Sequence, residues 1–333
     1  MQACPWWDGA MLDDASSQVI LSATAGPLPA ASADAVRALA DRAAAVDGVP
    51  PLSEQPLLWL AAPEAPVVHL CATVDDDLVG YAQLDVGAQT STKAELVVDP
   101  THRRAGVGRA LLGRALAETT VVPGRTLRVW AHGDLPAARR FAEDQGMAVV
   151  RELLQMRVDL TTRPTGAPNL PTGVTVRTFV PGRDEEAWRR VNSRAFSYHP
   201  EQGRMTSADL RARESEPWFD PDGFLLAERD GILLGSVWTK VHPAGEHGAE
   251  PVGEIYVVGV DPDAQGLGLG RALTALGLDH LTSLGLREAI LYTGAENTVA
   301  VHTYERAGFV RAAVDVMFGS DTPSSPAGVT MGA

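Results

Sequence analysis

Two stretches of this chain are near copies of each other: DPTHRRAGVGRAL at 99–111 and DPDAQGLGLGRAL at 261–273. Seven of the thirteen positions are identical. The step along the chain from Asp99 to Asp261 equals the step from Gly146 to Gly308. The halves therefore align without net gap across the loop, the helix it opens, the next strand and a second helix. In a chain of 333 residues, a period this long means two copies of one domain, not a solenoid. With 45% apolar residues, each copy can bury its own core.

The local pattern repeats in the same order. In the first half, Ser32 is a candidate cap for a helix reaching about Ala45. Strands are expected at 67–74, 78–86, 94–98, 126–131 and 148–159, with helices at 106–118 and 136–145. In the second half, strands are expected at 174–180, 224–229, 233–241, 254–260, 289–294 and 309–318. Helices fall at 184–196, 207–215, 268–283 and 297–307. The segments 1–30 and 46–55 read as irregular. The Pro/Gly/Thr-rich run 161–173 reads as a linker. This divides the chain into a first domain at 1–160, the linker, a second domain at 174–320 and a frayed tail at 321–333.

Each copied loop begins with Asp-Pro, which ends a strand. Gln265, Gly266, Leu267, Gly268, Leu269, Gly270 and Arg271 then lead into a helix. The equivalent run is Arg103, Arg104, Ala105, Gly106, Val107, Gly108 and Arg109, with two extra cations. Glycines permit a tight turn, and the unpaired N–H groups of a helix start at the positive dipole end form an anion site. A Rossmann fingerprint needs a third glycine where Leu111 and Leu273 stand, so a dinucleotide oxidoreductase is disfavoured. A P-loop needs Gly-Lys-Ser/Thr, absent from both copies.

A net charge of −14 argues against nucleic acid and against an anionic membrane surface. The N-terminal segment has no basic start or apolar run, and no segment nears 18 apolar residues, so a cytoplasmic protein is expected. Cys4 and Cys71 lie near neither loop. No metal is expected: His242 and His247, five apart in a Gly-rich loop, read as surface residues. Trp218 and Phe219, beside a turn, read as core anchors.

The Arg/Gln-x-x-Gly-x-Gly loop after a strand resembles the pyrophosphate loop of the GCN5-related N-acetyltransferases. In the second half, Asn297-x-x-Ala300-x-x-x-Tyr304-x-x-x-Gly308-Phe309 resembles a second signature of that family. The resemblance implies an α/β fold of α+β type: two tandem acetyltransferase domains, each a mixed, mostly antiparallel sheet flanked by helices. It implies acetyl-CoA as cosubstrate. Contacts to it are expected from Val258, Gly259 and Val260, from Gln265–Arg271, and from Asn297, Thr298, Val299, Ala300, Val301 and His302. In the first half they are Leu96, Val97 and Val98 with Arg103–Arg109. Pantetheine amides would pair with a strand edge exposed by splaying of the two central strands.

The segments VDGVPPLSEQ, SYHPEQG, WFDPDG, WTKVHP and GEIYVVGVDP make the chain similar to the mycothiol synthase family. That resemblance covers nearly the whole chain. It implies transfer of acetyl to the cysteine amine of cysteinyl-glucosaminyl-inositol by direct attack in a ternary complex. It implies Glu54, Glu201, Lys240, Glu254 and Tyr292 as substrate contacts. Carboxylates suit hydroxyl and ammonium hydrogens, while Lys and Tyr donate. Glu54 and Glu201 sit in loops, where a solvated charge is the plainer reading.

Acetyl transfer to an amine needs a base for the ammonium proton, a donor for the developing oxyanion and a proton source for the thiolate. Glu254 is the candidate base and Tyr304 the candidate acid. At the offset that superposes the two loops, the first half has Thr92 and Ala142 there, and Leu135 in place of Asn297. Glu95 falls at the register of Val257 and is not an equivalent base. The second half is therefore expected to catalyse, and the first to keep a CoA-type pocket. A solvated strand-end carboxylate and a core tyrosine are the alternative readings of Glu254 and Tyr304. Another amine acceptor, such as an aminoglycoside or a peptide N-terminus, and a non-catalytic acetyl-CoA sensor are the rival functions. The chain is expected to act as a monomer.

Overall fold

A computed structural model describes residues 19–163, 169–197 and 203–320. These form two compact units. The first takes in the described residues up to His132, Arg140–Ala148 and those from Phe318. The second takes in Gly133–Arg139 and Val149–Met317.

In the first unit, strands run in the order β1 (Ile20–Ala25), β2 (Val67–Val74), β3 (Asp77–Asp85), β4 (Ser91–Val98) and β5 (Thr126–Ala131). All neighbours are antiparallel except β4 and β5. Burial along β3 is continuous from Val79 to Leu84 because both sheet faces are covered. Ala82 and Leu84 pack with Leu111 of α3 (Val107–Thr120). Tyr81 packs with Val36 and Leu39 of α1 (Ala30–Asp47) on the other face. That helix begins after Pro29, ahead of the expected Ser32 cap, because proline's φ already suits a helix entry. Two elements lie where the sequence reads as irregular: β1, whose residues are mostly exposed, and α2 (Glu54–Trp59), which tolerates Pro56 in its first turn.

In the second unit the order is β7 (Thr175–Thr178), β8 (Phe224–Arg229), β9 (Ile232–His242), β10 (Val252–Val260), β11 (Glu288–Gly294), β6 (Ala148–Asp159) and β12 (Val310–Gly319). Only β10 and β11 are described as parallel; β7 to β10 and the β11/β6 pair are antiparallel. The helices are α4 (Pro136–Asp144), which crosses from one unit to the other in sequence, then α5 (Glu185–Ala195), α6 (Ser207–Glu214), α7 (Leu269–Ser283) and α8 (Thr298–Arg306). The expected mixed, mostly antiparallel sheets flanked by helices are present in both units.

The apolar positions of α7, Leu269, Leu273, Gly277, Leu278 and Leu281, recur at helical spacing and are buried. At Gly277 the helix lies so close to the sheet that an added Cβ would stand 2.8 Å from Ile255 Cδ1 and 2.8 Å from Val237 Cγ2. The opposite face of the sheet carries an aromatic cluster. Trp238 stacks on Phe224 at 4.5 Å, Phe179 stacks on Phe224 at 4.3 Å, and Trp188 stands edge-on to both Trp238 and Phe224. The buried Trp188 indole N–H donates to Ser236 Oγ at 2.9 Å. Phe219 and Trp218 join the same cluster, which places them as the core anchors expected from sequence.

The unit boundary departs from chain order at one strand. β6, whose sequence belongs to the first half, pairs antiparallel with β11 from Glu288↔Asp159 to Gly294↔Leu153. Leu154, Met156 and Val158 of β6 are buried with Ile255, Leu278 and Leu291. Alternation along β6 specifies a strand with one apolar face; it does not name the partner.

Candidate functional site

The site in the second unit grows from a single irregularity in β10. Its pairing with β9 shifts by one residue between Ile255↔Thr239 and Val257↔Trp238, leaving Tyr256 as the extra residue of a bulge. The described parallel register with β11 runs only over Gly253–Ile255 and ends where the bulge begins. A bulge bends its strand and raises local twist, so β10 turns away from β11. Val258, Gly259 and Val260 stay paired with β9 on one side and lie beyond the β11 ladder on the other. In the first unit β4 pairs with β3 in unbroken register, and its ladder with β5 continues to Glu95. Leu96, Val97 and Val98 are the equivalent segment there.

Both loops leave their strands the same way. Asp99 accepts from the Thr101 N–H at 3.0 Å and Asp261 from the Asp263 N–H at 3.0 Å, each starting a short 3-10 turn. Burial would raise the Asp99 carboxyl, but the Thr101 hydrogen bonds and the Arg42 guanidinium at 2.8 Å hold it down at about 2. The chain then passes through left-handed backbone twice: Arg104 (φ 67°) and Gly106 (φ 87°) in the first copy, Gly266 (φ 80°) and Gly268 (φ 78°) in the second. Gly106 and Gly268 are the N-caps of α3 and α7 and make no side-chain cap bond. Their first-turn N–H groups, at Val107, Gly108 and Arg109 and at Leu269, Gly270 and Arg271, suit an anion. Gln265, Gly266, Leu267 and Gly268 are exposed, as are Arg104, Ala105 and Gly106.

The expected cation at Arg103 is already engaged. Its guanidinium makes two 2.7 Å bonds to the carboxylate of Asp47, the last residue of α1, and its Nε donates to Val98 O at 3.3 Å. Gln265 Nε2 reaches the equivalent Val260 O at 3.5 Å. Sequence spacing could not supply the Asp47 partner, which lies far upstream of the loop in the chain.

Glu254 lies on β10 two residues before the bulge and is 6% exposed. A solvated strand-end carboxylate is excluded by that burial. Lys240 is its register partner on β9, with Nζ 4.6 Å from the Trp218 ring centroid and 5.6 Å from that of Tyr256. The buried Arg213 donates to Tyr256 OH at 2.6 Å. Tyr292, on β11, accepts from Gln155 Nε2 at 2.6 Å. Burial and then the Glu254 charge push its phenol up, so it stays protonated. Tyr304, on α8, is half-buried, packs edge-on to Phe309 at 5.9 Å, and is pushed up to about 12 by burial. Asn297 caps α8, its side chain accepting from the Ala300 N–H at 3.2 Å, so its carbonyl oxygen serves the cap. Of the following turn, Val299 is exposed, Val301 is buried, and His302 pairs with Glu305 at 3.2 Å.

The histidine pair overturns its sequence reading, His242 fully and His247 in part. His242, expected on the surface, is 3% exposed. β9 runs one residue further than the alternation indicated, and loop 243–251 folds over it, closed by Gly245 N–H to Gly248 O at 2.7 Å. Its Nε2 lies 2.6 Å from Glu254 Oε2 and its Nδ1 2.9 Å from Glu246 Oε1. Burial lowers its pKa, but the two carboxylates outweigh that and hold it at about 9. His247 packs edge-on at 4.3 Å and is pushed down by burial and by the His242 charge.

Glu54 belongs to the first unit as the opening residue of α2. The cap of that helix, Ser53, donates both N–H and Oγ to Glu95, at 2.6 and 2.7 Å. Glu95 is thus a buried strut for α2. Thr92 and Ala142, at the positions of Glu254 and Tyr304, are buried. Glu201, His199, Cys4 and the tail 321–333 lie outside the described residues. Among the described residues Cys71 is a free thiol, and no helix is long and apolar enough to cross a membrane.

Comparison with known proteins matches residues 187–309 to the model of the "Acetyltransferase (GNAT) family" and residues 66–146 to that of the "Acetyltransferase (GNAT) domain". A protein of Cellulomonas flavigena named mycothiol acetyltransferase is 65% identical over 97% of this chain and all of its own. One of Streptomyces coelicolor with the same name is 51% identical over 87% of this chain and 92% of its own. Among solved structures, a GCN5-related N-acetyltransferase from Sphaerobacter thermophilus matches with TM-score 0.61 and 26% identity, covering 92% of this chain and 98% of that one. A tandem GNAT protein from the clavulanic acid biosynthesis pathway matches with TM-score 0.65 at 19% identity, covering 92% and 100%; this last likeness concerns the fold alone.

Proposed function

The chain belongs to the GNAT acetyltransferase family, as an acetyl-CoA-dependent acetyltransferase of the mycothiol acetyltransferase group, and from that premise we propose that its second unit transfers acetyl from acetyl-CoA to the cysteine amine of cysteinyl-glucosaminyl-inositol, giving mycothiol and CoA. Near full-length identity of 65% to a relative bearing that name carries the choice of acceptor.

The residues fit the cosubstrate. The αL turn at Gly266 and Gly268 delivers the first N–H groups of α7 to a diphosphate. The Val258–Val260 edge, beyond the β11 ladder, offers backbone N–H and C=O groups to pantetheine amides. The bulge therefore does two jobs in one strand: it frees this edge and sets Glu254 at its entrance.

In the proposed mechanism Glu254 takes a proton from the substrate ammonium, directly or through one water. The freed amine nitrogen forms a bond to the acetyl carbon as the carbon–sulfur bond breaks, and the second proton it sheds on becoming an amide passes to solvent. A backbone N–H of the β10 edge donates to the carbonyl oxygen as charge develops there. Tyr304 attends the departing thiolate. A thiol ordinarily titrates at about 8.5, so a phenol held at about 12 does not give up its proton outright. Tyr304 stabilises the sulfur as a hydrogen-bond donor, and solvent completes the protonation. Lys240 and Tyr292, both donors on strands flanking Glu254, are proposed to hold acceptor hydroxyl groups. The first unit, with Thr92 and Ala142 at the equivalent positions, is proposed to bind CoA without catalysing.

The test is mass spectrometry of the product formed from acetyl-CoA and a panel of amines. Rapid acetylation of cysteinyl-glucosaminyl-inositol supports the reading. Rapid acetylation of an aminoglycoside or a peptide N-terminus, with none of that acceptor, overturns it.

A further inference from the structure

The hydrogen-bonded chain Glu246–His242–Glu254 has a role in no step above. A carboxylate accepts hydrogen bonds and donates none, so an imidazole held between two carboxylates must donate from both nitrogens. Glu254 accepts at Oε2 from Nε2 at 2.6 Å, and Glu246 accepts at Oε1 from Nδ1 at 2.9 Å. Held at about 9 by the two carboxylates, the ring is an imidazolium at neutral pH, set beside Glu254, which is itself 6% exposed.

We infer that His242 is the positioning residue of Glu254: clamped from the rim by Glu246, it sets its ring 2.6 Å from Glu254 Oε2 and turns that oxygen inward, leaving Oε1 for the proton of the acceptor amine. This rests on Glu254 being the base. The step conserves charge and atoms. One proton leaves the ammonium, passes through Glu254 and goes on to water. His242 keeps both of its protons throughout.

Other charges face this chain from every neighbouring element. On β9, Lys240 is the register partner of Glu254. From the loop, His247 stands edge-on to His242 and is pushed towards the neutral form, so it adds no competing positive charge. On β11, Tyr292 is kept protonated, in part by the Glu254 charge. On β6, Arg157 divides its guanidinium between Glu288 at 2.6 Å and His247 O at 2.8 Å. On β12, the Asp315 charge adds to the rise of the Tyr292 phenol, and Asp315 accepts from the Gly133 N–H at 2.8 Å. Of these groups, His242 is the one whose 2.6 Å contact fixes which oxygen of Glu254 is engaged.

The experiment is the pH profile of kcat/KM for acetyl transfer in the full chain, comparing wild type with His242→Gln, Glu246→Gln and Glu254→Gln. His242→Gln keeps a donor but loses the charge, so its acidic limb should move up by about one pH unit or more. Activity should fall roughly tenfold at pH 6 and recover to within a few-fold of wild type near pH 9, with KM for acetyl-CoA unchanged. Glu246→Gln should move the limb the same way by less, and should lower the His242 pKa read by NMR. A lower rate with an unmoved acidic limb in both variants overturns the inference while leaving Glu254 as the base. Undiminished activity in Glu254→Gln overturns the base reading itself. Should His242→Gln fail to fold, Glu246→Gln, altered at an exposed rim, decides through its limb and the NMR titration.

Discussion

Arg104 and Gly266 occupy the same left-handed turn at equivalent points of the two loops, with φ of 67° and 80°. Glycine takes that conformation freely, whereas an L side chain costs about 1–2 kcal/mol there. The first copy of the loop therefore carries strain that the second does not.

The expected consequence is opposite in sign at the two sites. Arg104→Gly should leave stability unchanged or raise it by up to about 1 kcal/mol, relief of strain being partly offset by the entropy of the unfolded glycine. Gly266→Ala should cost about 1 kcal/mol. Urea titration of each variant at pH 7 measures both.

The halves should also differ in what their helix caps do for turnover. Gly268→Val places a branched side chain at φ 78°, at the start of the helix proposed to hold the diphosphate. KM for acetyl-CoA should rise at least about tenfold. Gly106→Val makes the same change in the first copy and should leave steady-state kcat within a few-fold. Equal losses in both variants would place catalysis in both units.

The proposed chemistry predicts unequal defects. Glu254→Gln removes the base and should lower kcat by roughly 10²–10³-fold at pH 7. Tyr304→Phe removes one hydrogen bond to a departing thiolate and should cost roughly tenfold. Thiol release from acetyl-CoA reports both rates.

Stability should depend on pH through His242. Its folded pKa, about 9, lies above its ordinary value of 6.5. A raised folded pKa stabilises the native state fully below about pH 6.5 and loses that contribution as pH rises through about 9. Thermal melting of wild type should fall between pH 6.5 and 9.5 by more than that of His242→Gln. Asp99 acts at the other end of the scale: held at about 2 against an ordinary 3.8, it stabilises above about pH 4 and loses that as pH falls through about 2.

Much of this architecture is written locally in the chain. The two Asp-Pro-to-glycine loops, their helices and the strands before them rest on neighbours in sequence, and the helix ends fall close to expectation. α2 escapes a reading from sequence because so short a helix carries too little periodicity, and β1 because an exposed strand shows no alternation. The bulge at Tyr256 has no marker of its own: it shows only when β10 is laid against β9. The burial of His242 depends on a loop folding back over a strand end, and the tie from Arg103 to Asp47 joins distant parts of the chain. In the candidate site, the sequence singles out Glu254 and Tyr304 as candidates through their absence from the first copy. The His242 ring that accompanies Glu254 has no such signal.

Because β6 completes the sheet around β11, a cut just after Leu160 would pass between paired strands. A gene cut there would deliver a second half lacking Leu154, Met156 and Val158, with the outer edge of β11 bare and ready to join another chain. A fragment intended to stand alone would have to begin upstream, near Val149. During synthesis the ribosome must release that strand long before its partner Glu288 exists to receive it.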